Sequence, residues 1–108
     1  MSPCDIGYAI QMLKEGHKVR RRGWRDQGKF LWLKPPANVK AEWCKDAQLH
    51  RLALEAGGEI PALGTICMYL TLDGKPTILT GWHPTPCDLL AEDWTCLPDG
   101  DNTGYAGA

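Results

Sequence analysis

A β-hairpin in the second half of the chain constrains the fold more than any other segment. Residues 65–72 are rich in β-branched and apolar side chains, Asp73 and Gly74 form a two-residue turn signal, and residues 77–82 return as the partner strand. Pro76 closely follows the turn, so we expect it where the ladder does not need its missing N–H group. The fold must therefore contain an antiparallel strand pair.

Three helices are predicted around this hairpin. Apolar residues at helical spacing predict a helix over residues 5–15, which Gly16 ends, and a second helix over residues 46–56. Thr85 as N-cap and Pro86 at the first helical position predict a short third helix. Helix capping alone is one explanation for the side chains at this third helix start, and a ligand contact there is the other.

Further short strands complete the predicted sheet. Residues 19–22, 30–33 and 93–97 have strand character, whereas residues 38–45 show no clear pattern. Together with the hairpin, these segments predict an α+β fold with a small antiparallel sheet of about five strands and two or three helices.

The length of the chain bounds its domain organisation. With 108 residues and 44% hydrophobic composition, the chain can bury one modest core, so we expect a single domain over residues 1–97. Residues 98–108 contain small and polar residues with one tyrosine, and we expect a disordered tail there. A domain this small cannot hide all of its apolar surface alone, which favours a homo-oligomer.

Composition argues against several classes of protein. No apolar run approaches the roughly 18 to 20 residues that cross a bilayer, and residues 1–5 lack the features of a secretion signal. We therefore expect a cytoplasmic protein with no membrane partner. Five cysteines without a Cys-x-x-Cys pair and three scattered histidines predict no disulfide framework, metal site or cofactor. With a net charge of −1, no general affinity for nucleic acid is expected.

Two glycine–tryptophan pairs are the strongest candidates for ligand contact. Gly23-Trp24 and Gly81-Trp82 place a flat ring beside a residue that lets a ligand approach its face. The basic run at residues 18–25 adds cations, which suits a ligand carrying both a base and phosphates. Burial in the core is the alternative for both tryptophans. The remaining three are assigned to packing: Trp32, Trp43 and Trp94.

One arginine of the basic run differs from its neighbours. Arg21 shares a strand face with Val19, the covered face, where an unpaired charge is costly. It needs a carboxylate or phosphate partner, and Asp88 is a candidate; Asp88 could instead hold a ribose hydroxyl. Arg20 and Arg22 are expected on a solvated face.

The order of these segments resembles a known family. The motif Tyr-Ala-Ile-x-x-Leu-Lys-x-Gly-x-Lys-Val-x-Arg-x-Gly-Trp spans residues 8–24, and Asp-Leu-Leu-Ala-Glu-Asp-Trp spans residues 88–94. Between them lie Phe-Leu-x-Leu at residues 30–33, Asp-Gly-Lys at residues 73–75 and the second glycine–tryptophan pair. Over residues 6–97, the chain resembles the second Thoeris anti-defence family of small phage-associated proteins.

The resemblance implies a non-enzymatic sponge. Members of that family sequester glyco-cyclic ADP-ribose, some also take cyclic dinucleotides in a separate pocket, and they form homotetramers with pockets where protomers meet. For a phage protein, the host cytoplasm is the implied location. The chain departs from the family at Pro86, where glutamine or asparagine is more common. The ligand-binding residues that the resemblance implies are Arg21, Gly23, Trp24, Phe30, Trp82, Thr85 and Asp88.

Two other functions remain open from the residues alone. Asp88 and Asp93 are carboxylates that could serve a cyclic-nucleotide hydrolase, although no histidine or metal cluster accompanies them. Alternatively, residues 20–25 could contact the phosphates of a single-stranded nucleic acid while the tryptophans stack on its bases.

Overall fold

The computed structural model describes residues 4–26 and 28–98. Of these, the residues before Lys34 and from Ile66 onward form one compact unit, and Lys34–Thr65 form another. A single domain over residues 1–97 stays a prediction. Most of the predicted tail, residues 99–108, lies outside the described residues.

The elements follow one another in this order: α1 (Ile6–Lys14), β1 (Val19–Arg21), β2 (Phe30–Lys34), β3 (Ala37–Lys40), a 3-10 helix (Ala41–Trp43), α2 (Ala47–Glu55), β4 (Glu59–Ala62), β5 (Thr65–Leu72), β6 (Lys75–Thr80), α3 (Pro86–Leu90) and β7 (Trp94–Cys96). The three predicted helices are confirmed within one or two residues at each end. So are the predicted strands, except that β6 begins two residues earlier and ends at Thr80.

The first unit is built on a five-stranded antiparallel sheet. Its strand order is β6-β5-β2-β1-β7, so β1 lies between two neighbours and β6 lies at an edge. Val19 of β1 pairs with Leu31 of β2 and with Cys96 of β7, and Arg21 pairs with Trp94. Helices and an antiparallel sheet together confirm the predicted α+β class.

The hairpin has the turn that its sequence demands. Asp73 and Gly74 both adopt positive φ, 52° and 77°, as a type I′ turn requires. Leu72 and Lys75 close the turn as a pair, so the next pair of residues, which contains Pro76, directs its backbone N–H positions away from the partner strand. Pro76 therefore removes no hydrogen bond between β5 and β6, in agreement with the sequence expectation.

The core of this unit is centred on Trp94. Its side chain is fully buried, and its Nε1 donates a hydrogen bond of 3.1 Å to the backbone oxygen of Asp88. The other buried members of this core come from α1 and the three central strands: Ala9, Leu13, Val19, Leu31 and Met68. The assignment of Trp94 to packing is confirmed.

The second unit has little buried surface of its own. Strands β3 and β4 pair antiparallel, and among its described residues only Ala41 and Ala53 are buried apolar side chains. Trp43 is 65% exposed, so its assignment to packing is wrong. The reason is that it ends a 3-10 turn on a two-stranded sheet, where its ring contacts the Lys40 ammonium 4.9 Å from the ring centroid.

Strands β3 and β4 are both missing from the sequence-based prediction. Most of β3 lies in residues 38–45, where the sequence shows no clear pattern, and the four residues of β4 include Pro61 and lack a regular alternation of apolar and polar side chains. None of the helices in the described ranges is long and apolar enough to cross a bilayer.

Candidate functional site

Three charged side chains from distant parts of the chain form an arginine–carboxylate cluster, comprising Arg21, Asp88 and Asp93. Arg21 Nη1 donates to Asp88 Oδ1 at 2.9 Å, and Arg21 Nε donates to Asp93 Oδ1 at 2.8 Å. The internal partner that Arg21 was predicted to need is thus present. Asp88 is that partner, as proposed, and Asp93 is a second one.

Three elements bring these side chains together. Arg21 is the last residue of β1 and pairs with Trp94, the first residue of β7. Asp93 directly precedes Trp94 in the sequence, so it lies next to Arg21. Asp88 occupies the third position of α3, where a capping box forms: its backbone N–H donates to Thr85 Oγ1 at 3.1 Å, and its Oδ2 accepts the Thr85 backbone N–H at 2.9 Å. The predicted cap of α3 is therefore confirmed.

Asp93 also fixes the loop that carries the first glycine–tryptophan pair. Its Oδ2 accepts the backbone N–H of Gly23 at 2.8 Å, and its backbone oxygen accepts the N–H of Arg22 at 3.0 Å. A Cβ atom placed on Gly23 would lie 2.8 Å from the same Oδ2. Only glycine therefore lets the carboxylate approach the backbone this closely.

The electrostatics of the cluster keep its carboxylates ionised. Burial acts to raise the pKa of Asp88, but hydrogen bonds from Thr85, Arg21 and the Trp24 side chain outweigh it and lower the pKa from its ordinary value. Burial also acts to raise the pKa of Asp93, but hydrogen bonds from Arg21 and from the Gly23 N–H outweigh it, so this pKa is lowered as well. These two carboxylates raise the pKa of Arg21. The guanidinium charge is therefore fully compensated within the protein, and the cluster as a whole is negative.

Of the two arginines that flank Arg21, only one has the solvent exposure that the sequence predicts. Arg22 is exposed, as predicted, but Arg20 is only 7% exposed and donates from Nη2 to the backbone oxygen of Trp24 at 3.4 Å. The prediction of a solvated face for Arg20 is wrong. Lys18 and Val19 are buried as well. Both faces of β1 are therefore covered, and neither alternate set of its side chains faces solvent.

The two predicted stacking tryptophans flank the core tryptophan. Trp24 meets Trp94 edge to face at a centroid distance of 5.5 Å, and Trp82 does so at 6.1 Å. Both rings remain half-buried, and the Lys29 ammonium lies 4.9 Å from the centroid of Trp24. The rings therefore combine a packing role with a face that is not sealed in the core.

A cavity lies in another part of the same unit, named here the aromatic cavity. It has a volume of about 510 Å³. Its lining residues are Gly16, Lys18, Phe30, Trp32, Leu33, Tyr69 and Ile78. Phe30 stacks on Tyr69 with centroids 5.2 Å apart and tilts against Trp32 at 5.9 Å, while the Lys18 ammonium lies 4.9 Å from the Phe30 centroid.

The structure thus separates the predicted ligand-binding residues into two groups. Hydrogen bonds link Arg21, Gly23, Trp24, Thr85 and Asp88 through the arginine–carboxylate cluster, and Trp82 joins this group through Trp94. Phe30 lies instead in the lining of the aromatic cavity. Whether these residues contact a ligand stays a prediction.

Sequence reasoning missed several members of both groups. Asp93 was considered only as a hydrolase acid, although its place directly before a strand that pairs with β1 could have indicated an ion pair with Arg21. Trp32 was assigned to packing, and it does contact Phe30 as well as line the cavity. Tyr69 was not selected from the sequence as a site residue, because its proximity to Phe30 depends on β2 and β5 being neighbours in the sheet.

Within residues 4–26 and 28–98, no group of three or more histidine, cysteine, aspartate or glutamate side chains is arranged to hold a metal ion. The oxygen atoms of Asp88 and Asp93 are engaged by the donors of Arg21, Gly23 and Thr85. The arrangement therefore stabilises the loop and helix ends around the two half-buried tryptophans.

Comparison with known proteins places the chain in a family. The family model of the Thoeris anti-defense 2-like domain matches residues 4–97. Thoeris anti-defense 2 of Bacillus phage SP01 is 34% identical over 92 residues, which cover 83% of this chain and 90% of that relative. The matched range includes the arginine–carboxylate cluster and the aromatic cavity. The chain therefore belongs to the Thoeris anti-defense 2-like family.

Proposed function

We propose that this protein counteracts Thoeris defence by binding a cyclic ADP-ribose-type immune signal, glyco-cyclic ADP-ribose, and sequestering it without cleavage. Family membership supports the anti-defence role. The observation that carries the sequestration proposal is the convergence of two sequence blocks at one place. Arg21 and Trp24 come from the first block, and Trp82, Thr85 and Asp88 come from the last part of the chain, yet they form one connected group.

The chemistry of this group suits a ligand with planar bases. Trp24 and Trp82 each keep part of the indole ring outside the core, and base–aromatic stacking contributes about 1–3 kcal/mol per base. Lys29 places a cation against the ring of Trp24, and exposed Arg22 adds another nearby in sequence. These cations can meet phosphate charge, while Arg21 serves to hold the loop because its own charge is balanced by Asp88 and Asp93.

The state of the two carboxylates supports binding rather than hydrolysis. A general base needs a pKa near the working pH and an oxygen that can accept a proton from the reacting group. Asp88 and Asp93 have lowered pKa values, and their oxygens accept hydrogen bonds from Arg21 and backbone N–H groups. Their geometry suits a structural anchor for the binding loops.

We further propose that the protein acts as a homotetramer in the cytoplasm of the host cell, with ligand enclosed where protomers meet. Large apolar side chains on the described surface, including Leu63 at 93% and Leu90 at 83% exposure, are available for such contacts. Light scattering coupled to size-exclusion chromatography measures the assembly directly, and a monomer under all conditions contradicts this part of the proposal.

The test of sequestration is ligand recovery. The protein is incubated with glyco-cyclic ADP-ribose, separated from free ligand, and denatured by heat, after which the released compound is identified by chromatography and mass spectrometry. Intact ligand in an amount that matches the protein supports the proposal. Release of a cleaved product would overturn it in favour of the hydrolase.

The same protein preparation can be used to distinguish sequestration of the cyclic signal from binding to single-stranded nucleic acid. A labelled single-stranded oligonucleotide should show no binding at concentrations where the cyclic signal is fully bound. Tight oligonucleotide binding that weakens steeply with salt, without affinity for the cyclic signal, would replace the proposed function.

A further inference from the structure

We propose that the Lys29 ammonium covers the stacking face of Trp24 in the free protein and moves to a phosphate of the ligand when a base takes its place. This role rests on the proposed function, since it concerns the same site. It adds a rule of selection, because a ligand must bring a base and a phosphate together in order to bind well. Lys29 is thus a specificity-determining residue of that site.

The ring of Trp24 is a rigid platform. Its backbone N–H donates to the Arg21 oxygen at 3.2 Å, and its side chain donates a hydrogen bond to Asp88. The ring also meets the fully buried Trp94 edge to face, with centroids 5.5 Å apart. A rearrangement on ligand entry therefore has to come from the groups that lie against the platform.

Lys29 can supply that rearrangement. Its ammonium lies 4.9 Å from the centroid of Trp24, while its backbone N–H donates to the Asp26 oxygen at 3.2 Å and β2 begins at the next residue. The side chain is half-buried, and a flexible four-carbon stem joins the ammonium to this backbone. A cation over a ring near solvent gains only about two- to fivefold in an equilibrium constant. The ammonium can therefore leave the ring while the backbone stays in place.

The carboxylate of the same loop serves the backbone. Asp26 Oδ1 accepts the N–H of Gly28 at 2.9 Å, and Asp26 Oδ2 accepts the N–H of Thr71 on β5 at 3.4 Å. These bonds hold the loop while the Lys29 side chain moves. They also engage the oxygens that would otherwise compete with a ligand phosphate for the ammonium.

An ammonium and a base compete for the same ring surface. The face of an indole attracts a cation through its quadrupole and a base through stacking. A base that stacks on the face covered by Lys29 must displace the ammonium, and the lost contact lowers the affinity of that base. An uncharged nucleoside gains nothing from the displaced cation in return.

The charges near Trp24 favour a phosphate as the new partner of the ammonium. The Arg21 guanidinium is already engaged by Asp88 and Asp93, and this cluster is negative as a whole. A phosphate close to the cluster would be repelled unless another cation lay beside it. Lys29 can provide that cation next to the stacked base, where an ammonium and a phosphate form charge-assisted hydrogen bonds.

Two ligands that differ in phosphate test the rule by calorimetric titration. Glyco-cyclic ADP-ribose carries a base and phosphates, whereas adenosine carries a base alone and is measured by its competition with the cyclic signal. Lys29→Met should weaken glyco-cyclic ADP-ribose binding about tenfold or more, because a charge-assisted hydrogen bond is lost. It should strengthen adenosine binding about two- to fivefold, because the ring face is open. A residue that merely supports the pocket would shift both affinities in the same direction.

Matched variants locate the effect. Lys40→Met removes an ammonium contact of the same 4.9 Å from the exposed ring of Trp43, so it should leave both affinities unchanged. Lys29→Arg keeps the charge and should retain most of the affinity for the cyclic signal. Rising salt should weaken binding of the signal more steeply in the wild type than in Lys29→Met. Thermal unfolding checks each variant, and Lys29→Gln replaces Lys29→Met if the latter does not fold.

The possible failures are distinguishable. If the folded wild type does not bind glyco-cyclic ADP-ribose, the proposed function fails and the role of Lys29 fails with it. If the wild type and Lys29→Met bind this ligand equally well, the proposed function stands and the ammonium does not reach a phosphate. A loss of both affinities shows that Lys29 only supports the pocket. No gain for adenosine shows that the base stacks without displacing the ammonium, and each of these results overturns the proposal.

Discussion

The arginine–carboxylate cluster and the aromatic cavity are built from opposite kinds of side chain. In the cluster, two carboxylates surround one guanidinium, and backbone N–H groups engage the remaining oxygens. In the cavity, most of the lining is aromatic or aliphatic, with contacts between the rings of Phe30, Trp32 and Tyr69. Paired charges fix the geometry of a loop, whereas contacts between rings shape an apolar cavity. An arginine three positions before a tryptophan, such as Arg21 before Trp24, is therefore not by itself a phosphate site.

The largest effect is expected from breaking the cluster at its most buried member. Asp88→Ala removes the partner of Arg21 and the acceptor for the Thr85 N–H, and loss of one partner of a buried ion pair costs about 3 kcal/mol. Urea unfolding should show this loss in the free energy of unfolding. Glu92→Ala, an exposed acid on the same segment, is the control and should change stability by less than about 0.5 kcal/mol. Equal effects of the two substitutions would contradict a structural role for the cluster.

A smaller loss is expected from crowding the cluster. In Gly23→Ala the new Cβ would lie 2.8 Å from Asp93 Oδ2, so the carboxylate must move and weaken its bonds to Arg21 and the loop. Such overpacking typically costs about 1–3 kcal/mol. Gly28→Ala is the matched control, because the nearest atom to its new Cβ is 3.5 Å away, at ordinary contact distance. Thermal unfolding compares the two, and an equal shift in Tm would show that Asp93 does not constrain Gly23.

The next comparison concerns ligand capture rather than stability. Trp24→Ala should weaken glyco-cyclic ADP-ribose binding about tenfold or more, because one stacking contact is lost. Trp43→Ala removes an exposed tryptophan of the second unit and should leave the affinity unchanged. Calorimetric titration of both variants measures the difference. If Trp24→Ala unfolds or changes the oligomer instead, its ring is a packing residue and the site assignment fails.

The smallest expected effect is on the pH dependence of the free energy of unfolding. Because the pKa values of Asp88 and Asp93 are lower in the folded protein than in the unfolded chain, the unfolded chain binds protons more readily. Their stabilisation is fully present above the unfolded pKa of about 3.9 and declines as the pH falls through the lower folded values. The free energy of unfolding of Asp88→Asn should depend less steeply on pH in this acid range than that of the wild type. Parallel curves would show that Asp88 contributes no such linkage.

Local chemistry explains which parts of the fold the sequence predicts. Asp5 and Asp46 accept hydrogen bonds from N–H groups three residues later, and the turn at Asp73 needs only its own backbone conformation. These signals lie within four residues of the structure they determine. Strand β4 carries no such signal, since Pro61 interrupts it and its partner lies beyond α2.

The sites depend on contacts between distant residues, which limits their prediction. Arg21 and Asp93 are separated by 72 positions, and their pairing follows from the register of β1 and β7. The need of Arg21 for a partner was predictable from its strand face, but the identity of the second carboxylate was not. The cavity likewise depends on which strands are neighbours, so Phe30 was selected from family resemblance while Tyr69 was overlooked.

The position of Pro76 has a consequence for solubility. Strand β6 ends the sheet, and its outward-facing backbone positions could hydrogen-bond to a strand from another molecule. At Pro76 that position has no hydrogen to donate, so an incoming strand would lose a bond near the tip of the hairpin. A residue that costs the protein nothing internally thus discourages uncontrolled fibre-like association along this margin.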